Sequence, residues 1–148
     1  MRRIYLLIVT AIILSSCAPT MMHNWGGSNT SKGVTPYENL AYLNYDKQTP
    51  EALCKLLVLY ENMTSKPGGI RKVPAPGICA EYGYLLMQPE VLQTFTEHAS
   101  KSQLKVFKDK DLNSYFIEHG KEMFEKEIEY YPESATFIGP LVKKLSTR

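Results

Sequence analysis

The stretch DLNSYFIEHGKEMFEKEIEYYP, Asp111 to Pro132, opens on a residue suited to cap a helix and closes on one that ends it. Between them Leu112, Tyr115, Phe116, His119, Met123, Phe124, Ile128 and Tyr131 recur at the three- and four-residue spacing of one helix face. Pro132 lacks the N–H that a further turn would need and clashes with the turn before it. The stretch is therefore read as one long amphipathic helix.

The same signs extend outward. A last helix from about Glu133 holds Ala135, Ile138, Leu141, Val142 and Leu145, and Gly139-Pro140 is expected to kink or break it. Upstream, Thr35-Pro36-Tyr37-Glu38 is a capping box with proline at the first helical position, opening a helix to about Asp46. Thr49-Pro50-Glu51 opens another, in which Leu53, Leu56, Leu57, Tyr60 and Met63 share a face to about Ser65. Lys66 to Pro76 is rich in proline and glycine and reads as a loop. A short apolar helix follows from about Gly77 to Met87. Gln88-Pro89-Glu90 then restarts the pattern, with Val91, Leu92 and Phe95 inward, to about Ser100. Leu104, Val106 and Phe107 form a connecting piece. No alternating run bounded by hairpin turns is present. The reading is all-α, about six short helices stacked as antiparallel hairpins.

The N-terminus carries a different message. Arg2 and Arg3 precede an apolar run, Ile4 to Leu14, too short to span a bilayer stably, and Leu14-Ser15-Ser16-Cys17 follows. This ending resembles the lipobox of bacterial lipoproteins. The resemblance implies cleavage before Cys17, diacylation of its thiol and acylation of the new amino group. It divides the chain into a signal peptide (1–16), a flexible tether (17–34) poor in periodic apolarity, and a single helical domain (35–148). Ala18 after the anchor favours the outer membrane, and the lack of an acidic cluster beyond Cys17 favours its periplasmic leaflet. No run in the mature part approaches the ~20 apolar residues of a spanning helix, so lipid on Cys17 is expected to be the membrane attachment.

Charge and cysteine content narrow the function. Without Arg2 and Arg3 the 17 basic residues of the chain fall level with its 15 acidic ones, which argues against a nucleic-acid partner. Ten tyrosines against one tryptophan and five phenylalanines suggest either contact surface or half-buried helix positions. Cys54 and Cys79 remain in an oxidising compartment. Each is placed near the start of its helix, so antiparallel packing would offset them by ~15 Å, against a limit of ~7 Å between bridged Cα atoms. Two reduced, buried thiols are expected.

Two further stretches carry a family likeness. Asn24-Trp25-Gly26 with Tyr37-Glu38, Tyr42, Tyr45 and Pro50-Glu51 is one. Glu125 to Phe137, containing Tyr131-Pro132-Glu133-Ser134, followed by Leu141 and Lys143-Lys144, is the other. Together they resemble the bacterial lipoproteins of domain-of-unknown-function family 4810. In that family Trp-Gly and Tyr-Glu lie close together, whereas Ser28 to Val34 separates them here, which argues against Trp25 packing on the tyrosine helix. The second half also resembles a degenerate tetratricopeptide repeat, with Gly83 as the small residue of one helix and Gly120, Phe124 and Pro132 as the small, aromatic and terminal positions of the other. The extra segment 88–112 would then sit inside the repeat. By resemblance, such lipoproteins accompany a curli-secretion-channel-type lipoprotein, which implies a place in an envelope secretion or assembly complex.

Catalytic signals are thin. His23 lies in the tether, and His98 and His119 have no partner His or Cys at metal-ligand spacing, so neither metal nor cofactor is expected. His119, on an apolar stripe, reads as a hydrogen-bonded core residue. A Cys79–His119 hydrolase pair lacks a marked third group to orient it. The expectation is a non-catalytic structural or accessory subunit. The alternative is a tetratricopeptide-like, peptide-binding adaptor. Trp25, Tyr37, Tyr42, Tyr45 and the basic-loop residues Arg71 and Lys72 are the candidate protein-binding positions.

Overall fold

Proline and capping side chains set most of the helix starts. In α1 (Pro36–Tyr45) the Thr35 hydroxyl accepts from the Glu38 N–H at 3.1 Å, while Glu38 accepts from the Thr35 N–H at 2.8 Å. Prolines begin α2 (Pro50–Ser65) and α4 (Pro89–His98), where their fixed φ suits the first turn. A second capping box, Ser100 with Gln103, starts the short α5 (Lys101–Leu104), which runs on into a 3-10 turn, Lys105–Phe107. Asp111 caps α6 (Leu112–Tyr130) by accepting from the Ser114 N–H at 3.1 Å. Between α2 and α4 lies α3 (Ile78–Leu86), and a 3-10 turn, Pro132–Ser134, leads into α7 (Ala135–Leu145).

These elements come from a computed structural model that describes residues 21–28, 33–107 and 111–145; the expected signal 1–16 and Cys17 lie outside them. Among the described residues every regular element is helical. The chain is all-α, as its periodicity indicates.

α2 is the central element, packing against α1, α3 and α4, and α3 lies along α6. Leu56, Leu57, Tyr60, Tyr82, Phe95 and Phe116 are fully buried where these helices meet. Each such aliphatic side chain contributes ~1.5–3 kcal/mol of transfer free energy. A smaller apolar group, Phe124, Ile138 and Leu145, fastens α7 to α6. At the α3–α6 crossing two glycines face each other. A Cβ on Gly83 would lie 2.7 Å from the Gly120 carbonyl oxygen, and one on Gly120 would lie 3.1 Å from that of Gly83. The two backbones touch where any side chain would hold them apart.

Two departures from the sequence reading concern the backbone. Of the kink or break expected at Gly139-Pro140, the break does not occur, since α7 continues through Pro140. The hydrogen bond lost there is the one to the Thr136 carbonyl, in the exposed first turn of the helix, where water can replace it. Residues 21–28 of the expected tether are docked on the domain. The Ile70 and Arg71 N–H groups donate to the Met21 and Met22 carbonyls, both at 3.2 Å, and His23 Nδ1 donates to the Val73 carbonyl at 3.1 Å. The Asn24 side chain accepts from the Gly26 and Gly27 N–H groups and turns the chain. Gly69, at φ +80°, approaches Met22 so closely that a Cβ would lie 2.5 Å from its carbonyl oxygen. Glycine content that looks like flexibility here permits close backbone pairing.

Cys54 and Cys79 are both free and buried, as their helix positions suggest. Both thiols should alkylate fully after denaturation without prior reduction, and far more slowly in the native protein. Recovery of an unreduced Cys54–Cys79 peptide by mass spectrometry would contradict this arrangement.

Candidate functional site

Three glutamates, on α2, α3 and α6, organise the polar interior. Glu81 on α3 accepts from the Tyr37 hydroxyl of α1 at 2.8 Å and the Tyr60 hydroxyl of α2 at 2.6 Å. Glu61 on α2 accepts from the Tyr82 hydroxyl at 2.8 Å and the Tyr115 hydroxyl at 3.3 Å, and lies 3.1 Å from His119 Nε2. The other His119 nitrogen lies 2.8 Å from Glu122, which pairs with Lys126 at 2.7 Å. Glu127 is 2% exposed and sits at the N-terminus of α3. It accepts from the Gly77 N–H at 2.7 Å and the Ala80 N–H at 3.3 Å, so a carboxylate from α6 does the work of an N-cap side chain.

The rings of these residues form a continuous row. Trp25 meets Tyr37 at 5.5 Å between centroids, Tyr37 meets Tyr60 at 6.0 Å, and Tyr60 stacks on Tyr82 at 5.5 Å. His119 meets Tyr82 edge-on at 5.6 Å and stacks on Tyr115 at 4.7 Å. Burial first, and the neighbouring carboxylates after it, push the phenols of Tyr37, Tyr60, Tyr82 and Tyr115 well above their ordinary range. The contribution of these protonated phenols to stability is complete below the ordinary value of 10.0 and is lost progressively as the pH rises above it. Denaturation midpoints should fall steeply above about pH 10, with tyrosinate absorbance from these residues appearing together with loss of helical dichroism. Complete tyrosine ionisation near pH 10 in the folded protein would count against these hydrogen bonds.

The structure divides the candidate positions. Trp25 and Tyr37 are brought together on the inner side of α1, contrary to the argument from the intervening 28–34 segment, and both are half-buried. Tyr42 stays exposed on the outside of α1, with Lys47 Nζ 5.7 Å from its ring centre. Tyr45, though half exposed, turns its hydroxyl toward Tyr60 and Glu81, and partial burial and then Glu81 raise its phenol above the ordinary range. Arg71 and Lys72 are exposed on the loop after α2. His119 is the hydrogen-bonded interior residue expected of it. Cys79 is pushed up to about 12 by burial and by Glu127, the reverse of an activated thiolate. Among the described residues no group of His, Cys, Asp and Glu is arranged to hold a metal ion. A groove of about 390 Å³ opens between the α3–α4 turn and α6, lined by Leu86, Met87, Leu92, Phe116 and Ile117, with Lys121 at its side.

Glu61, Glu81 and Glu127 were not evident as interior residues from sequence. A signal existed: Glu81 is the one charged residue of α3, and Glu127 follows Met123 and Phe124 at helical spacing on the buried stripe. No family model, curated protein or solved structure matches this chain.

Proposed function

We infer that this is a lipid-anchored subunit of the bacterial outer membrane, facing the periplasm and serving as a non-catalytic structural or accessory part of an envelope secretion or assembly complex. The observation that carries the reading is how its reactive side chains are used. Glu61, Glu81, Glu127 and His119 are bound to tyrosine hydroxyls, backbone N–H groups and one another. They hold helices together, while aromatic side chains such as Tyr42, Tyr45 and Phe137 remain on the surface. Exposed tyrosine supplies contact area at low entropic cost. The Leu14-Ser15-Ser16-Cys17 sequence supports the anchor, and no helix among the described residues is long and apolar enough to cross a membrane. By resemblance to family 4810, a curli-secretion-channel-type lipoprotein is the first partner to seek.

The experiment is affinity recovery from detergent-solubilised membranes, comparing the native protein with Cys17→Ala and with Tyr42→Ala/Tyr45→Ala. Cys17→Ala should remain an unprocessed precursor or be released as a soluble body. The tyrosine pair should lose partner recovery while keeping native helical dichroism. Normal processing and membrane retention of Cys17→Ala would overturn the anchor, and undiminished recovery would remove the tyrosine face from the interface.

A second reading, a tetratricopeptide-like adaptor for a peptide, is favoured by the Gly83–Gly120 crossing and the apolar groove beside it. Saturable peptide binding lost on Ile117→Asp would select it over the scaffold.

A further inference from the structure

We propose that the surface formed by Met21, Met22, Ile70, Arg71, Lys72 and Lys66 is a membrane-contact face that seats the domain directly on an anionic phospholipid leaflet. The inference rests on the reading of Cys17 as the lipid-bearing residue. Three apolar side chains project from this surface: Met21 is 46% exposed, Met22 55% and Ile70 58%. They are neighbours because the Ile70 and Arg71 N–H groups pair with the Met21 and Met22 carbonyls. Lys66, Arg71 and Lys72, all exposed, lie on the same loop. Apolar side chains beside basic ones suit a headgroup boundary, the former reaching the acyl region and the latter the phosphates.

Chain length selects this occupant over a soluble partner. Cys17 precedes Met21 by four residues, which span at most ~14 Å fully extended. With Met21 and Met22 paired to the 70–71 backbone, the patch cannot move away from the bilayer as it could on a free eighteen-residue tether. Acyl chains on Cys17 therefore hold these side chains within reach of the lipid surface, and the patch adds a second, weaker attachment that fixes the orientation of the domain.

The test uses the lipidated protein in vesicles containing phosphatidylglycerol. Cys54 and Cys79 are buried, so Ile70→Cys offers one accessible thiol for a nitroxide on the loop after α2. Glu51→Cys offers another in the first turn of α2, roughly 21 Å along the helix from its last residue, Ser65, at 1.5 Å per residue. The label at 70 should show several-fold greater collision with oxygen relative to a water-soluble nickel chelate than the label at 51. Arg71→Glu/Lys72→Glu should abolish that difference with helical dichroism retained. Equal water exposure of both labels on vesicles that carry the protein overturns the contact face and leaves the anchor standing. Shielding of residue 70 in native membranes but not in vesicles overturns it in favour of a protein partner. Protein that fails to float with vesicles removes the anchor, and this inference with it.

Discussion

Glu127→Ala should lower the stability of the domain by about 3 kcal/mol, since hydrogen bonds to a charged group are worth ~1.5–3 kcal/mol each and this carboxylate makes two. Its oxygens meet the Gly77 and Ala80 N–H groups where α3 begins, and Gly77 itself, at φ +87°, has no side chain with which to cap. Removing the carboxylate leaves orphan donors against an apolar core and deletes a negative charge at the positive end of a helix dipole. Glu127→Gln keeps one acceptor, but the two N–H groups use different carboxylate oxygens and the amide NH2 would face one of them, so it should still cost about 1–2 kcal/mol, less than the alanine. Urea denaturation read by helical dichroism checks both. An alanine variant as stable as the parent would show that the buried carboxylate is replaceable by water.

Gly83→Val is the second large effect, an expected loss of about 3 kcal/mol or more from overpacking. The atom met by a new Cβ is the Gly120 backbone carbonyl oxygen, at 2.7 Å, so relief requires α3 and α6 to separate along their shared face. Gly83→Ala meets the same oxygen. Its gain of ~1 kcal/mol in helix propensity offsets only part of the strain, leaving a net loss of about 1–2 kcal/mol. Gly139 in α7 is the control, because a Cβ there meets nothing within 4 Å. Gly139→Ala should be neutral or slightly stabilising, by up to ~1 kcal/mol. Thermal midpoints for the three variants separate crossing strain from propensity. Equal behaviour at positions 83 and 139 would mean that the crossing is looser than the geometry indicates.

How far the fold was legible follows from the range of each cause. Local chemistry marks α1, α2, α4 and α6 in the sequence, because Thr35-Pro36, Pro50, Pro89 and Asp111 act within one turn of themselves. The interior site was not legible for the opposite reason. Glu127 answers to Gly77, fifty residues away, and Glu61 to His119, fifty-eight away. A glutamate on a helix reads as surface until tertiary packing supplies its donors. The 21–28 segment misleads in another way: its glycines and asparagine describe freedom in an isolated peptide, but Asn24 holds the Gly26 and Gly27 N–H groups, and Gly69 of the loop after α2 lets that backbone come close. At Pro140 the local rule holds, and its effect is small because the affected carbonyl faces water.

The row of rings that begins at Trp25 also makes the protein its own reporter. Trp25 is the only tryptophan in the chain, and Tyr37 lies 5.5 Å from it, with Tyr60 and Tyr82 next in line. Light absorbed by those tyrosines should pass to the indole by resonance energy transfer, so excitation of tyrosine yields tryptophan emission as long as the row is intact. Peeling away of residues 21–28 alone would shift that emission to the red and restore tyrosine emission, with the helical dichroism unchanged. Global unfolding would change all three signals together. A single cuvette measurement can thus distinguish a domain held close at its N-terminal edge from one that has let go of it.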